Sequence, residues 1–384
     1  MRERKRYCIF SAQYLPHMGG VERYTYNLAK NLVERGNDVT VVTSNISKLL
    51  NYEKADGIHI YRIPCLSLLD GRYPVLKINK KFIKIHRMLN HKQYDIVIVN
   101  TRFYLHSLYG MLFAKRRGLP CITIEHGTSH LSVHNSILDR IGAVYEHFLT
   151  KIECLLCKDF YGVSGACNEW LMHFHIKAKG VLYNSIDIEA FQQVEEIRKY
   201  RKQYNISEDM IAVTFTGRLL KEKGLPQLMS VIERLHKERN DICLFIAGDG
   251  DLEKEVENYK SDYIIPLGRI PFIDIVTLLR ESDIFCLPSF SEGFSTSILE
   301  AAACQCYILT TERGGSKELI INRNYGSIIP YNKEETLYLE LKSILDDLDR
   351  RKKAVELTYQ RLESHFTWDK MVDKVETICD KVCG

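Results

Sequence analysis

The sequence predicts an α/β protein with two doubly wound domains, each built on a parallel sheet. Short runs that are apolar throughout alternate with amphipathic helical segments, a pattern typical of parallel sheets covered on both faces. The runs form two successive series, and 384 residues are enough for two domains of about 150–200 residues each. The predicted strands are 7–10, 39–43, 95–99, 121–124 and 160–163 in the first series, and 211–215, 243–247, 264–267, 284–287 and 307–310 in the second.

The first and last predicted helices are amphipathic. In 21–35, Val21, Tyr24, Leu28 and Leu32 fall on one helical face. A further strand, 180–183, is predicted to end the first series. The boundary between the two domains is predicted near 184–189. We therefore expect an N-terminal domain at 1–186 and a C-terminal domain at 187–365. The segment 366–384 is expected to form a helix that packs back toward the N-terminal domain, through Met371, Val372, Val375 and Ile378.

Composition indicates a globular chain, with 45% apolar and 27% charged residues. We recognise no signal peptide and no run of about 18 apolar residues, so a cytoplasmic protein without a spanning helix is expected. The twelve cysteines are then expected to be reduced and mostly buried. Cys154 and Cys157 have a C-x-x-C spacing, but they lack a second pair and lie in an apolar helical stretch, which does not favour a redox or zinc site.

The charge is distributed unevenly along the chain. The net charge is +4, but residues 1–190 carry 26 basic and 16 acidic side chains, while the remainder is net acidic. A basic half suggests an anionic partner. The segment 77–92 mixes cations with apolar residues at helical spacing, which fits either a helix lying on an anionic membrane or a surface helix with a buried stripe. No basic and aromatic module for nucleic acid is recognisable.

Three stretches carry the chemical signal, and the first joins the first strand to the first helix. Gly19 and Gly20 there let the backbone approach a ligand, and the following helix offers free N–H groups to an anion. A plain tight turn would explain a glycine pair by itself. The spacing is not that of the dinucleotide fingerprint, so a nicotinamide cofactor is not indicated.

The second stretch follows strand 211–215 and contains Gly217, Arg218, Lys223 and Gly224. A guanidinium and an ammonium group at the carboxyl end of a strand suit a diphosphate that gains charge as it leaves. A solvated basic turn is the alternative.

The third stretch follows strand 284–287. Glu292 lies in a glycine-containing loop, and Glu300 lies about one turn into the next helix, which Ser295, Thr296 or Ser297 would cap. Two carboxylates can accept hydrogen bonds from sugar and ribose hydroxyls, while the helix start can hold a phosphate. This setting fits a glycosidase acid–nucleophile pair less well.

Together these stretches resemble the retaining glycosyltransferases of family 4, which have the GT-B fold of two Rossmann-like domains facing a cleft. The likeness extends from Met18, Gly19 and Gly20 to Phe366, Thr367 and Trp368. Its most specific element is the pair Glu292 and Glu300 with seven residues between them.

The resemblance implies roles for individual residues. Arg218 and Lys223 would bind the donor diphosphate and stabilise the leaving nucleotide, Glu300 would hold the ribose, and Glu292 would contact the transferred sugar. His126 would lie near the reacting sugar. The remaining donor-binding residues would be Gly19, Gly20, Gly217, Arg269, Ile270, Gly293, Phe294, Ser295 and Thr296, with Glu22 and Tyr24 on the acceptor side.

Two local features bear on this assignment. After Glu300 the family has a glycine and a proline, whereas 301–306 has neither. The sequence therefore does not predict where that helix ends. Asp249 and Asp251 look like the D-x-D that binds a metal in other transferases, but in this fold the basic pair and helix ends bind the diphosphate. We therefore expect no metal and no cofactor besides the nucleotide-sugar.

The expected function is transfer of a sugar from a nucleotide-sugar, UDP-sugar first and GDP-sugar second, to a glycan or lipid-linked acceptor, in the cytoplasm or at the inner face of the membrane. A nucleotide-sugar 2-epimerase on the same fold and a non-catalytic nucleotide-sugar-binding partner remain alternatives.

Overall fold

The computed structural model describes residues 4–17, 19–71, 73–131, 135–195 and 199–383. It divides into two compact units, which are unit 1 (1–184 with 368–384) and unit 2 (185–367). The predicted α/β class with parallel sheets is confirmed in both units.

Unit 1 is built on a seven-stranded sheet in the order β3-β4-β2-β1-β7-β8-β9. Its pairs are parallel except for β3, which runs antiparallel to β4. A separate antiparallel pair is formed by β5 and β6. The strands are β1 (Arg6–Ser11), β2 (Asp38–Ser44), β3 (Tyr52–Ala55), β4 (Ile58–Ile63), β5 (Cys65–Leu68), β6 (Tyr73–Leu76), β7 (Ile96–Asn100), β8 (Cys121–Glu125) and β9 (Asp159–Gly162).

Helices connect these strands. They are α1 (Gly20–Glu34), α2 (Lys80–His91), α3 (Leu105–Arg116), α4 (Ser136–Leu156), α5 (Gly165–His173) and, from the other end of the chain, α15 (Trp368–Cys383). The predicted apolar face of α1 is buried, because Tyr24, Leu28 and Leu32 are all almost inaccessible.

Helix α15 packs on α1. Its buried residues Met371, Val372 and Val375 form the predicted apolar face. At the end of α1, Arg35 adds polar contacts, since its guanidinium lies 2.6 Å from the Asp373 carboxylate and 3.2 Å from that of Glu376. Apolar packing and these ion pairs together hold the last helix in unit 1.

Unit 2 has a six-stranded parallel sheet in the order β12-β11-β10-β13-β14-β15. The strands are β10 (Ile211–Thr216), β11 (Ile242–Ala247), β12 (Ile264–Gly268), β13 (Ile284–Leu287), β14 (Tyr307–Thr311) and β15 (Ser327–Ile329). The helices are α6 (Ile188–Gln192), α7 (Tyr200–Gln203), α8 (Leu225–Glu238), α9 (Glu253–Asn258), α10 (Phe272–Arg280), α11 (Thr296–Ala303), α12 (Ser316–Leu319), α13 (Glu334–Leu345) and α14 (Leu348–His365).

The ten runs of the two predicted series all form strands, but the additional strand predicted at 180–183 is wrong. Lys179 N–H and Leu182 N–H do donate to the carbonyls of Phe160 and Gly162 in β9. These contacts amount to one isolated bridge, between Gly162 and Val181, and not to a strand.

No helix among the described residues combines the length and the apolar character needed to cross a membrane.

Candidate functional site

In unit 2 the sheet order reverses between β10 and β13. Strands β11 and β12 follow on one side of this point, and β14 and β15 on the other. In open α/β sheets, ligands bind beyond the carboxyl ends of the strands at such a switch point. The loops that leave β10 and β13 carry the second and third sequence stretches, so the topology brings two of the predicted motifs together.

Lys223 and Glu292 meet at this switch point. Lys223 ends a 3-10 turn, Lys221–Lys223, and its Nζ forms a salt bridge with Glu292 Oε1. Ser289 Oγ donates to the same carboxylate oxygen at 2.9 Å. The two loops are also tied by their backbones, since Phe290 N–H donates to the Glu222 carbonyl at 2.7 Å. A cation and a carboxylate are thereby fixed side by side where a ligand would bind.

Glycines let the surrounding loops approach one another. Gly224 has φ +72°, and a Cβ there would overlap the Pro288 carbonyl. A Cβ on Gly314 would overlap the carbonyls of Glu292 and Gly293, and Gly315 N–H donates to Gly293 O at 3.0 Å. The loop that carries Glu292 therefore lies directly on the backbone that follows β14.

Helix α11 begins beside this loop. Ser295 is its N-cap, but against our expectation the Ser295 hydroxyl accepts no cap hydrogen bond within the described part of the chain. The first N–H groups of α11 have no partner within the helix and are available to an anion. Phe294, just before the helix, is buried, and Glu300, on the helix, is half-buried.

The structure shows how α11 ends although 301–306 lacks the glycine and proline that the family has there. Gln305 has φ +61°, and the N–H groups of Gln305 and Cys306 donate to the carbonyls of Ala302 and Ala301. Glutamine thus occupies the left-handed position that glycine usually takes where a helix ends in this way. The helix therefore ends without glycine or proline.

Arg218 and Arg269 are both exposed, and they follow β10 and β12, the two strands on either side of β11. Arg269 Nη1 lies 3.6 Å from Asp249 Oδ2, so this carboxylate of the D-x-D has a cationic neighbour. Leu219 N–H donates to the Asp249 carbonyl at 2.8 Å, which ties the loop after β10 to the loop after β11. Ile270 is half-buried next to Arg269.

In unit 1 the sheet order reverses between β1 and β7, and the first sequence stretch leaves β1 there. Gly19 is the N-cap of α1, and a Cβ on Gly19 would overlap the Glu22 carboxylate. Glu22 is buried in the first turn, whereas Gly20 is exposed. Met18 of the same motif lies outside the described residues.

His126, after β8, contacts residues from both sides of this switch point. Its ring lies 4.8 Å from that of Tyr24, edge to face, and its Nε2 lies 3.5 Å from Asn100 Oδ1. Asn100 Nδ2 donates to Thr25 Oγ1 at 2.7 Å. Loss of hydration lowers the pKa of His126 to about 3, so the imidazole is neutral at physiological pH.

A buried ionic network beneath His126 was missed by sequence reasoning. Glu125 Oε1 accepts from the backbone N–H groups of His126 and Gly127 at 3.0 and 2.8 Å. Its Oε2 lies 2.8 Å from Arg102 Nε, and Arg102 Nη2 lies 2.8 Å from Glu146 Oε1. Arg102 and Glu125 are both almost fully buried. The sequence signal for it was weak, a polar residue at the carboxyl end of β7 and of β8, Asn100 and Glu125.

The chain resembles known glycosyltransferases in sequence and in fold. The model of "Glycosyltransferase Family 4" matches residues 18–190, and that of "Glycosyl transferases group 1" matches residues 196–361. An uncharacterized glycosyltransferase of Methanocaldococcus jannaschii is 26% identical over 97% of this chain and 98% of its own. The GPI3 subunit of the Saccharomyces cerevisiae phosphatidylinositol N-acetylglucosaminyltransferase is 25% identical over 90% of this chain and 74% of its own. The crystal structure of Anabaena HepE in complex with UDP has a TM-score of 0.77 at 18% identity, over 99% of this chain and 100% of that one.

These likenesses cover both sheets and both switch points, and they define the class as a glycosyltransferase of the GT-B fold. Since the two family models together span most of the sequence, the chain belongs to glycosyltransferase family 4.

Proposed function

We propose that this glycosyltransferase moves a sugar from UDP to a lipid-linked or glycan acceptor with retention of anomeric configuration and without a metal ion. The observation that carries the proposal is the Lys223–Glu292 pair at the switch point of unit 2. A UDP complex of HepE and the phosphatidylinositol acceptor in the name of the GPI3 relative support the donor and the acceptor class. GDP-sugar is the second donor candidate.

Each residue near this pair has a proposed task. Arg218 and Lys223 stabilise the departing diphosphate, while the N–H groups at the start of α11, after Phe294 and Ser295, hold its oxygens. Glu300 binds the ribose hydroxyls, and Glu292 binds the transferred sugar. Arg269 and Ile270 line the pocket for the nucleotide base. The Gly217 backbone and the Gly293 and Thr296 backbones complete the donor site.

Unit 1 supplies the other proposed groups. Gly19 and Gly20 approach the phosphates, and Glu22 and Tyr24 serve the acceptor. His126 acts as a neutral hydrogen-bonding group beside the reacting sugar, because its pKa is about 3. Its position is held by Glu125 through the backbone N–H of His126.

Calorimetric titration tests the donor site. UDP and GDP are titrated into wild type, Lys223→Ala and Lys237→Ala, first without and then with Mg²⁺. Lys237 is the matched control because it is exposed on α8 and pairs only loosely with Glu233, at 3.8 Å. We expect metal-independent UDP binding that Lys223→Ala weakens at least about 100-fold and Lys237→Ala leaves unchanged, since truncating a charged partner costs several kcal/mol. No binding of either nucleotide would overturn the proposal.

Product analysis tests the reaction. We expect UDP release to depend on a lipid-linked acceptor, and the new bond to keep the donor's anomeric configuration in NMR spectra. Epimerised sugar formed without acceptor would instead identify a 2-epimerase.

We also propose that unit 1 contacts an anionic membrane surface. On α2 the buried stripe of Ile85 and Leu89 accounts for part of the sequence pattern. Lys81, Lys84 and Arg87 are exposed on the remaining surface of the helix, and just before the helix Ile78 is 77% exposed. We propose that these exposed groups, and not the buried stripe, make the membrane contact.

Helix α4 carries a second surface of the same kind, which the sequence did not single out. Ile137, Ile141, Val144 and Phe148 recur at helical spacing and are each at least 60% exposed. Exposed Arg140 and Lys151 lie on the same helix. Apolar groups flanked by cations suit the headgroup region of an anionic bilayer.

Cosedimentation with vesicles tests the contact. We expect binding to vesicles that contain anionic lipid, and its loss in Phe148→Asp and in the double variant Lys81→Glu/Lys84→Glu. Leu339→Asp, at a 57% exposed position of α13 in unit 2, is the matched control and should bind as wild type does. Equal binding by all variants would contradict the proposal.

A further inference from the structure

Three histidines from separate segments of unit 1 converge on one point. His130 follows β8, His147 lies on α4, and His173 ends α5. One ring nitrogen from each residue lies within 4.8 Å of the other two, and the Nε2 atoms of His147 and His173 are 3.1 Å apart. His130 and His147 are half-buried, and His173 is exposed, so the point is accessible from solvent.

The spacing of the rings fits a tetrahedral ion. Three imidazoles bound at about 2.0–2.1 Å to zinc have centroids roughly 5 Å apart. The centroids of His130, His147 and His173 lie 4.9, 5.5 and 5.6 Å from one another. The ring spacing is therefore close to that of three histidines around one zinc ion.

A carboxylate already orients one of the rings. His130 Nδ1 lies 2.6 Å from Glu146 Oε2, and the other oxygen of Glu146 is paired with Arg102. A carboxylate that accepts from one imidazole nitrogen fixes the tautomer and leaves the second nitrogen, Nε2, as a ligand. Trp170 stacks on His173 with centroids 4.8 Å apart, which restrains that ring as well.

We propose that His130, His147 and His173 bind one transition-metal ion of the Zn²⁺ type, with the fourth position open to water. Imidazole nitrogen is a preferred ligand of zinc, copper and nickel, and three histidines with one open position are an established zinc ligand set. None of these three histidines belongs to the proposed donor or acceptor residues, so the inference does not rest on the proposed function.

The ion would also stiffen the segment that carries His126. Glu146 connects His130 to Arg102, and Arg102 connects to Glu125, which holds the backbone N–H groups of His126 and Gly127. A metal bound at His130 therefore restrains one end of a continuous chain of ion pairs and hydrogen bonds.

Metal binding to the chelator-treated full chain tests the proposal, with Zn²⁺ measured by equilibrium dialysis and Co²⁺ by its visible absorption. We expect one ion per chain in wild type and a tetrahedral Co²⁺ spectrum. His147→Ala and His173→Ala should each weaken binding by at least about 100-fold, since loss of an outer-sphere partner alone typically costs 10–100-fold.

His86→Ala is the matched control. His86 is a half-buried histidine of unit 1 whose Nδ1 contacts Tyr109 Oη at 2.8 Å, and its removal should leave stoichiometry and affinity unchanged. Circular dichroism and UDP titration of each variant show whether it is folded. Absence of bound metal in wild type, or full binding in folded His147→Ala and His173→Ala, would overturn the proposal.

Discussion

Lys223 Nζ and Glu292 Oε1 form a salt bridge at the carboxyl end of the unit 2 sheet. Both side chains are mostly buried, with 17% and 13% of their surfaces exposed. The cation that we propose to meet the donor diphosphate is therefore already paired with the carboxylate that we propose to meet the sugar. On donor binding, Lys223 would have to exchange at least part of its contact with Glu292 for a contact with the diphosphate.

The variant Glu292→Gln distinguishes the effect of the ion pair on UDP binding from the contribution of Glu292 to sugar transfer. The amide oxygen can still accept from Ser289, but Lys223 no longer has an ionised partner in Glu292. We expect UDP to bind roughly fivefold more tightly, because about 1 kcal/mol of ion pairing no longer has to be broken. Sugar transfer should fall by about 100-fold, the typical loss for one transition-state contact. Calorimetry and product formation measure the two effects.

Glu222→Gln is the control, because Glu222 lies on the same turn but is exposed. Glu222→Gln should change neither the affinity for UDP nor the rate of sugar transfer. Weaker UDP binding in Glu292→Gln would contradict the idea that the ion pair competes with the nucleotide.

Gly224→Ala should destabilise unit 2 more than a left-handed conformation alone explains. Gly224 and Gly118 have similar φ values, +72° and +63°, but only a Cβ at Gly224 meets the Pro288 carbonyl. We expect Gly118→Ala in unit 1 to cost about 1 kcal/mol for its backbone conformation and Gly224→Ala to cost more than about 2 kcal/mol. Urea unfolding of both variants measures the difference, and equal costs would show that the loop relaxes freely.

Arg102→Met should be strongly destabilising. It leaves Glu125 and Glu146 buried without their shared guanidinium partner, and removal of one member of a buried ionic network typically costs about 3–5 kcal/mol. The unfolding transition of unit 1, followed by calorimetry, measures the loss. Arg116→Met changes an exposed arginine of α3 and should shift the transition little. A shift of the same size in both variants would contradict a structural role for the network.

Glu153 makes the stability of unit 1 depend on pH. Burial raises its pKa to about 8, while one carboxylate oxygen accepts from Phe103 N–H at 3.3 Å. The folded state therefore keeps a proton that the unfolded state releases near pH 4.5, so stability falls as pH rises between these values, by up to about 1.4 kcal/mol per pH unit.

Glu153→Gln should remove this dependence. We expect the variant to match wild type near pH 5 and to exceed it progressively toward pH 8 in denaturant midpoints. A constant difference across this range would show that Glu153 is ionised in the folded state.

The strands were predictable because a parallel sheet buried on both faces demands continuous apolar runs, as in 243–247. The edge strands β3 and β5 were not found, because they are mostly exposed and carry no such run. The order of strands was not predictable either. Lys223 and Glu292 meet only because β10 pairs with β13, and neither local sequence indicates that pairing.

Residues around His126 escaped prediction for a related reason. Asn100 and Arg102 each look like ordinary polar residues after a strand. Their partners Thr25 and Glu146 lie on helices far away in the sequence, so only tertiary packing reveals the matching charges and hydrogen bonds. The assigned tasks of the individual site residues stay predictions.

Helix α15 belongs to unit 1 although the whole of unit 2, 185–367, precedes it in the chain. Its Trp368 ring lies 5.3 Å from Tyr24, the residue that also contacts His126. During synthesis on a ribosome at about 5–20 residues per second, the nascent unit 1 therefore waits roughly 10–40 s for the helix that covers Tyr24 and Arg35. Throughout this interval the part of α1 that contacts α15 lacks its native cover, while the part that packs on β1 and β2 is already buried.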